Sequence, residues 1–131
     1  MKKSISQLDQ AYEICRKETQ QWAKTFYLGT LLLPPEKRKA IWAIYVWCRR
    51  TDEIMDSEEA SNKSQEELSD NLDAWEENTK NIFKGKIKSE LDSVLLDTIK
   101  KYPQSIEPYL DMINGQRMDL NKFRYKDFDE L

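Results

Sequence analysis

The chain has 131 residues, the length of one domain with room for a real core. A net charge of −3 and no basic stripe remove the electrostatic case for nucleic acid, and the 34% charged fraction fits helices with long solvated faces. No histidine is present, which excludes Ser-His and Cys-His nucleophilic chemistry and any His-based zinc site, and two separated cysteines cannot build a structural zinc centre. Catalysis is left to carboxylates, Arg, Lys, Tyr and a hard cation.

Three Gly and four Pro leave little material for hairpins, and no stretch alternates apolar with polar over strand length, so the expected fold is all-α. The amino end runs into charge without an apolar core and is not a secretory signal. A first helix is expected over about 7–23, with Leu8, Ala11, Tyr12, Cys15 and Trp22 on its apolar side. The stretch 24–33 is uniformly apolar, interrupted at Gly29 and stopped by Pro34-Pro35, and Pro35 suits the first position of the next helix. That helix is expected over about 36–57. The segment 57–64 is polar and acidic and reads as a mobile loop. Ser64 with Glu67 forms a capping box for a helix ending near Gly85, with Leu68, Leu72, Trp75 and Phe83 inward. Ser89 with Asp92 starts another, carrying Leu91, Val94, Leu95 and Ile99, ended by Tyr102-Pro103, and a last helix fits 105 to about 120 with Pro108 in its first turn. Asp127 and Glu130 repeat the capping pattern just before the sequence stops at Leu131. One turn cannot stabilise itself, so the front part of a longer protein is expected. Cys15 and Cys48, in apolar helical context without C-x-x-C spacing, read as buried free thiols in a reducing compartment.

The helix over 36–57 carries the chemistry. Ile41, Ile44, Tyr45, Cys48 and Met55 lie on or beside one face, and Trp42, Ala43, Val46, Trp47 and Ile54 leave little of the cylinder polar. Asp52 and Asp56, four residues apart, share that face. Ionised carboxylates there are costly unless a cation or strong donors meet them. With Arg49 one turn earlier, the pattern points to a hard divalent metal, Mg²⁺ (or Mn²⁺), neutralising a phosphate-bearing substrate. A helix end reaching solvent at Asp56, with ordinary surface ion pairs, satisfies the same spacing. The longest apolar run, 40–48, is too short to span a bilayer.

The run over 23–53, through Thr25-Phe26, Pro34-Pro35 and Tyr45-Val46-Trp47-Cys48-Arg49-Arg50-Thr51-Asp52-Glu53, resembles the squalene and phytoene synthase family, most closely its phytoene-forming branch in oxygenic phototrophs. Asp111-Met112-Ile113-Asn114-Gly115-Gln116-Arg117-Met118-Asp119-Leu120 and the residues through Phe128-Asp129-Glu130-Leu131 resemble the same family further along, whereas 57–101 matches loosely. The resemblance implies an isoprenoid-synthase-type helical bundle, here incomplete and only its front part. It implies condensation of two geranylgeranyl diphosphates to prephytoene diphosphate and rearrangement to phytoene.

Residue by residue, Asp52 and Asp56 match the family's first aspartate-rich motif, which holds Mg²⁺ against diphosphate. Arg49 matches the arginine that contacts the diphosphate. Thr25 and Phe26 match a Ser/Thr-Phe pair at the substrate cleft, and Tyr45 an aromatic one turn before Arg49. Arg117 and Asp119 carry a motif resemblance, Arg117 as a substrate-binding candidate, although core packing accounts for Thr25, Phe26 and Tyr45, and a solvated helix face for Arg117 and Asp119. Glu53 points away from Asp52 and takes a lesser role.

The family's second aspartate-rich motif is absent before Leu131; Asp92 with Asp97, and Asp127 with Asp129, have the wrong spacing. The expectation is therefore a fragment or truncated gene product, inactive and molten or aggregated alone, with inward residues Ile41, Tyr45, Trp47 and Leu110 partly wet. A squalene-type synthase is the rival within the fold. The rival from another class is a non-catalytic helical module pairing with a separately encoded carboxyl half. The expected location is cytoplasmic, with peripheral membrane attachment allowed for.

Overall fold

The structure, a computed structural model, describes the backbone of residues 6–129 and the side chains of residues 6–121. The described residues form helices α1 (Gln7–Trp22), α2 (Lys24–Thr30), α3 (Pro35–Asp56), α4 (Gln65–Phe83), α5 (Glu90–Lys101) and α6 (Glu107–Asp129), with a 3-10 turn at Ala60–Asn62. Polar residues at the ends set the boundaries. The hydroxyls of Ser6, Ser64 and Ser89 accept from the backbone N–H of Asp9, Glu67 and Asp92 at 3.0, 3.1 and 3.3 Å, satisfying donors that the first turns of α1, α4 and α5 leave open. Extended Pro34 lets Pro35 begin α3. At the end of α4, Gly85 adopts φ +89, and the N–H groups of Gly85 and Lys86 return to the carbonyls of Ile82 and Asn81 at 2.9 and 2.8 Å.

Helix α3 is the axis of the bundle. It touches α1, α4, α5, α6 and the 3-10 turn, as a helix apolar on nearly every side requires. Ala11, Tyr12 and Cys15 of α1, Tyr27 of α2, Trp42, Ala43 and Val46 of α3 and Val94 of α5 form one core cluster. Trp47 joins Ile82, Leu95, Tyr109 and Ile113 in a second, and Ala60, Leu68, Leu72 and Leu120 close a third.

Polar atoms inside this core are paired across helices. The indole N–H of Trp47 donates to Thr79 Oγ1 at 3.2 Å, and that of Trp75 donates to Thr51 Oγ1 at 2.8 Å. Each threonine in turn donates to the carbonyl of the tryptophan four residues earlier in its own helix, at 2.9 Å in α3 and 2.8 Å in α4. The two indoles stack between these bonds, with centroids 6.0 Å apart. The result is a reciprocal Trp-x-x-x-Thr clasp that joins α3 to α4, each bond worth about 1 kcal/mol net and more if one partner is left unpaired.

A second tie is ionic. Asp92 of α5, 1% exposed, accepts from Arg50 at 3.0 Å, from Asn78 of α4 at 3.4 Å and from the Lys88 backbone N–H at 3.3 Å. The Arg50 guanidinium lies over the Trp75 ring, 4.6 Å from its centroid.

Two expectations need correction. Trp47 is not wet: it is 2% exposed, packed between Trp75 and Tyr109, whereas Ile41, Tyr45 and Leu110 are half-buried. The last helix does not stop near 120, and Asp127 does not cap a new one. Helix α6 runs through both positions to Asp129, because extending an existing helix is cheaper than nucleating another and neither Gly nor Pro interrupts 121–126. Glu130 and Leu131 lie outside the described residues. Within the segment 57–64 a 3-10 turn buries Ala60, whose N–H reaches Ser57.

Breaking one side of the buried ion pair strands a charge. Arg50→Met is expected to cost about 3–5 kcal/mol in chemical unfolding, and Arg50→Met with Asp92→Asn to recover most of it. Additive losses in the double variant would show that the pair is not coupled.

Candidate functional site

The last turns of α3 gather the polar residues that the sequence pattern singles out. Asp52 is half-buried and Asp56, one turn on, is exposed. The Gln116 side-chain amide of α6 donates to Asp52 Oδ1 at 2.8 Å. Burial holds the Asp52 carboxyl above its ordinary range, the charge of Asp56 pushes in the same direction, and Arg49 opposes both. Ionising Asp52 is thus disfavoured by its surroundings, a cost that nearby positive charge would lower.

Arg49 is held softly. Its guanidinium stacks on Trp22 of α1, 3.8 Å from the ring centroid, and reaches Glu53 at 3.3 Å. Its Nε is buried without a hydrogen-bond partner among the described residues. Tyr45 and Phe26 stack with centroids 5.7 Å apart; Tyr45 is half-buried, Phe26 is 47% exposed, and Thr25 is exposed. Thus Phe26 of α2 and Tyr45 of α3 form one aromatic wall. Arg117 is engaged elsewhere: it donates to Glu76 at 2.7 Å and to Asp73 at 2.8 Å, both on α4, and to Asn114 at 2.7 Å. These bonds hold the Glu76 carboxyl below its usual range.

Both cysteines are free, as expected, and Cys15 is buried. Burial pushes the Cys15 thiol up to about 12; burial and then the Asp52 charge raise the Cys48 thiol. Neither is a thiolate nucleophile near neutral pH. Cys48 faces an open apolar groove of about 230 Å³ with Ile44, Trp47, Pro108 and Met112. Ile44 and Gln104 also line an adjoining groove of about 430 Å³, which extends past Ile41 and Tyr102 to Leu33. Apolar surface thus follows α3 to within one turn of Asp52.

The donor set fits a hard divalent ion shared with a ligand. Mg²⁺ commonly takes one or two carboxylates and completes its shell with phosphate oxygens and water. Asp52 and Asp56 supply that number, and among the described residues no group of three or more Asp, Glu, Cys or His side chains converges as a self-sufficient cage.

The profile of the squalene/phytoene synthase family matches residues 19–131. The chain belongs to this family. It is 52% identical over 129 residues to the 15-cis-phytoene synthase of Synechocystis sp., covering 98% of this chain and 37% of that protein. It is also 52% identical over 128 residues to the chloroplastic phytoene synthase 1 of Arabidopsis thaliana, covering 98% of this chain and 29% of that one. The chain thus spans about a third of the relatives it matches. Among solved structures, squalene synthase HpnC from Alicyclobacillus acidocaldarius aligns with a TM-score of 0.75 at 26% identity, over 88% of this chain and 42% of that one. A dehydrosqualene synthase solved with a ligand aligns at 0.74 and 25% identity, over 87% and 38%. The isoprenoid-synthase-type helical fold is that of these neighbours.

Pattern reading missed Gln116, Trp22 as the seat of Arg49, and the Glu53 contact to Arg49. Gln116 was findable: it follows buried Ile113 by three residues, which puts it on the inward side of α6.

Because the folded state raises the Asp52 pKa, ionising it lowers stability as pH rises from the ordinary carboxylate value through the raised one. Asp52→Asn keeps an acceptor for Gln116 and removes the charge. The variant is expected to melt higher than wild type at pH 7 without metal, with the difference shrinking to nothing as pH falls below the ordinary carboxylate range. A lower Tm for the variant at pH 7 would refute the reading of Asp52 as an unfavourably charged group.

Proposed function

We propose that this chain binds an isoprenoid diphosphate through Asp52, Asp56 and Arg49 and contributes the first carboxylate motif of a 15-cis-phytoene synthase. The whole activity is head-to-head condensation of two geranylgeranyl diphosphates to phytoene through prephytoene diphosphate, a step of carotenoid biosynthesis. The observation that carries the reading is the half-buried Asp52, one turn from Asp56 and one turn from a loosely held Arg49, with apolar groove surface reaching Cys48 one turn before it.

Arg49 has donors to turn toward a diphosphate, because an aromatic face and an exposed glutamate compete weakly with a doubly charged oxygen cluster. Mg²⁺ (or Mn²⁺), held by Asp52 and Asp56, would supply the remaining charge neutralisation as the leaving group departs. The groove past Ile44 and Ile41 offers apolar surface for a prenyl chain, and the Phe26–Tyr45 wall offers ring faces to an allylic cation. Thr25, exposed and next to Phe26 in sequence, enters the reading through the motif resemblance. Arg117 enters the reading through the motif resemblance, and its pairs with Glu76 and Asp73 would have to yield before it met a substrate.

Phytoene rather than squalene chemistry is favoured by about 52% identity to the phytoene synthases, against 26% to the squalene synthase structure. The test supplies geranylgeranyl diphosphate and Mg²⁺ to this chain alone and to this chain mixed with the carboxyl-terminal portion of the Synechocystis relative. Phytoene is expected only from the mixture and to be lost in Asp52→Asn. A complex that assembles but makes no phytoene would favour the non-catalytic pairing module instead.

Among the described residues no helix is long and apolar enough to cross a membrane. Leu28, Leu31 and Leu32 are exposed, Leu32 at 89%, close in sequence to Lys24 and Lys37, which supports peripheral attachment at a cytoplasmic membrane face. Release of the vesicle-bound chain by carbonate is the expected result, and retention through both high salt and carbonate would count against it.

A further inference from the structure

We infer that Gln116 is a positioning residue for Asp52, whose side-chain amide fixes which carboxylate oxygen is free for the metal–diphosphate ligand. The inference rests on the functional reading of Asp52 above. Gln116 Nε2 lies 2.8 Å from Asp52 Oδ1, and an ionised carboxylate only accepts, so the amide presents its NH₂ there. Among the described residues Oδ2 of Asp52 meets no protein donor. One oxygen is tied across the bundle to α6, and the other is left for a cation.

The tie is well anchored at both ends. Ile113, one turn before Gln116, is fully buried against Trp47, Leu95 and Tyr109, and Thr51, beside Asp52, is fully buried in the Trp75 bond. Neither backbone can drift without disturbing the core, so the amide reaches the carboxylate from a fixed direction. Donors that orient a metal-binding side chain typically account for 10–100-fold in metal affinity. A neutral amide does this without adding a charge that would either repel the ligand or compete with the cation.

The probe is Mn²⁺ with inorganic diphosphate, titrated into the 131-residue chain and followed by the electron paramagnetic resonance signal of free Mn²⁺, with thermal melts of the metal-free proteins alongside. Gln116→Met keeps length and apolar bulk but removes the donor; Gln116→Asn keeps the amide but is one methylene too short to hold the 2.8 Å bond. Both are expected to weaken Mn²⁺–diphosphate binding about tenfold or more, beyond any change that tracks their Tm. Asp52→Asn is expected to lose most of it. Wild-type affinity in both Gln116 variants, with Asp52→Asn impaired, would overturn the role of Gln116 alone. Absence of binding by the wild-type chain would overturn the metal role of Asp52 and this inference with it. A loss in Gln116→Met that Gln116→Asn does not share would also overturn it, since the inference requires reach as well as chemistry.

Discussion

Almost everything in this bundle follows from having to bury α3 on nearly every side. A surface helix needs one neighbour, whereas this one needs several, and the other helices are arranged as its walls. The demand becomes sharpest at four successive residues. Arg49, Arg50, Thr51 and Asp52 leave the axis about 100° apart and cover the full circumference. Each finds a different surface: Trp22 of α1 under Arg49, Asp92 of α5 and Trp75 of α4 at Arg50, Trp75 again at Thr51, and Gln116 of α6 at Asp52. One turn of helix thereby fixes the rotation of α3 against four others. The carboxylates of the site inherit their direction from that fixation.

The two adjacent arginines show how the same charge is used in two ways. Arg50 meets a buried carboxylate supported by two further donors, and this partner cannot be exchanged without stranding a charge. Arg49 rests on an indole face and an exposed glutamate, contacts of small net worth. One arginine is thus locked into the architecture, while its neighbour is held by weaker contacts. Asp52 and Asp56 complete the contrast, since the charge of Asp56 adds to burial in opposing the ionisation of Asp52.

The helices were legible from the sequence because their signals are local. The serines before α1, α4 and α5, Pro35 and Gly85 mark boundaries through chemistry that acts within a few residues. The all-round apolar character of α3 disclosed its central place, and the four-residue spacing disclosed the carboxylate pair. What remained hidden depends on partners far apart in the chain. Gln116 lies 64 residues from Asp52 and Asp92 lies 42 from Arg50. Nothing in either neighbourhood announces the other. The apparent cap at Asp127 misled for the opposite reason: a short polar pattern cannot reveal whether a helix is already in progress.

Tyr12 of α1 donates to Asp97 of α5 at 2.6 Å across 85 residues, with Thr98 also in reach, and the two helices share one core cluster. This long separation has a consequence for synthesis. At about 5–20 residues per second, a ribosome needs roughly 4–17 s to move from one partner to the other. During that interval Ala11, Tyr12 and Cys15 have no α5 to close over them, and their apolar face is open to other nascent chains or to a chaperone. Slow decoding between codons 12 and 97 would lengthen the exposure, so the yield of this protein in a cell depends on translation speed as well as on the stability of the finished bundle.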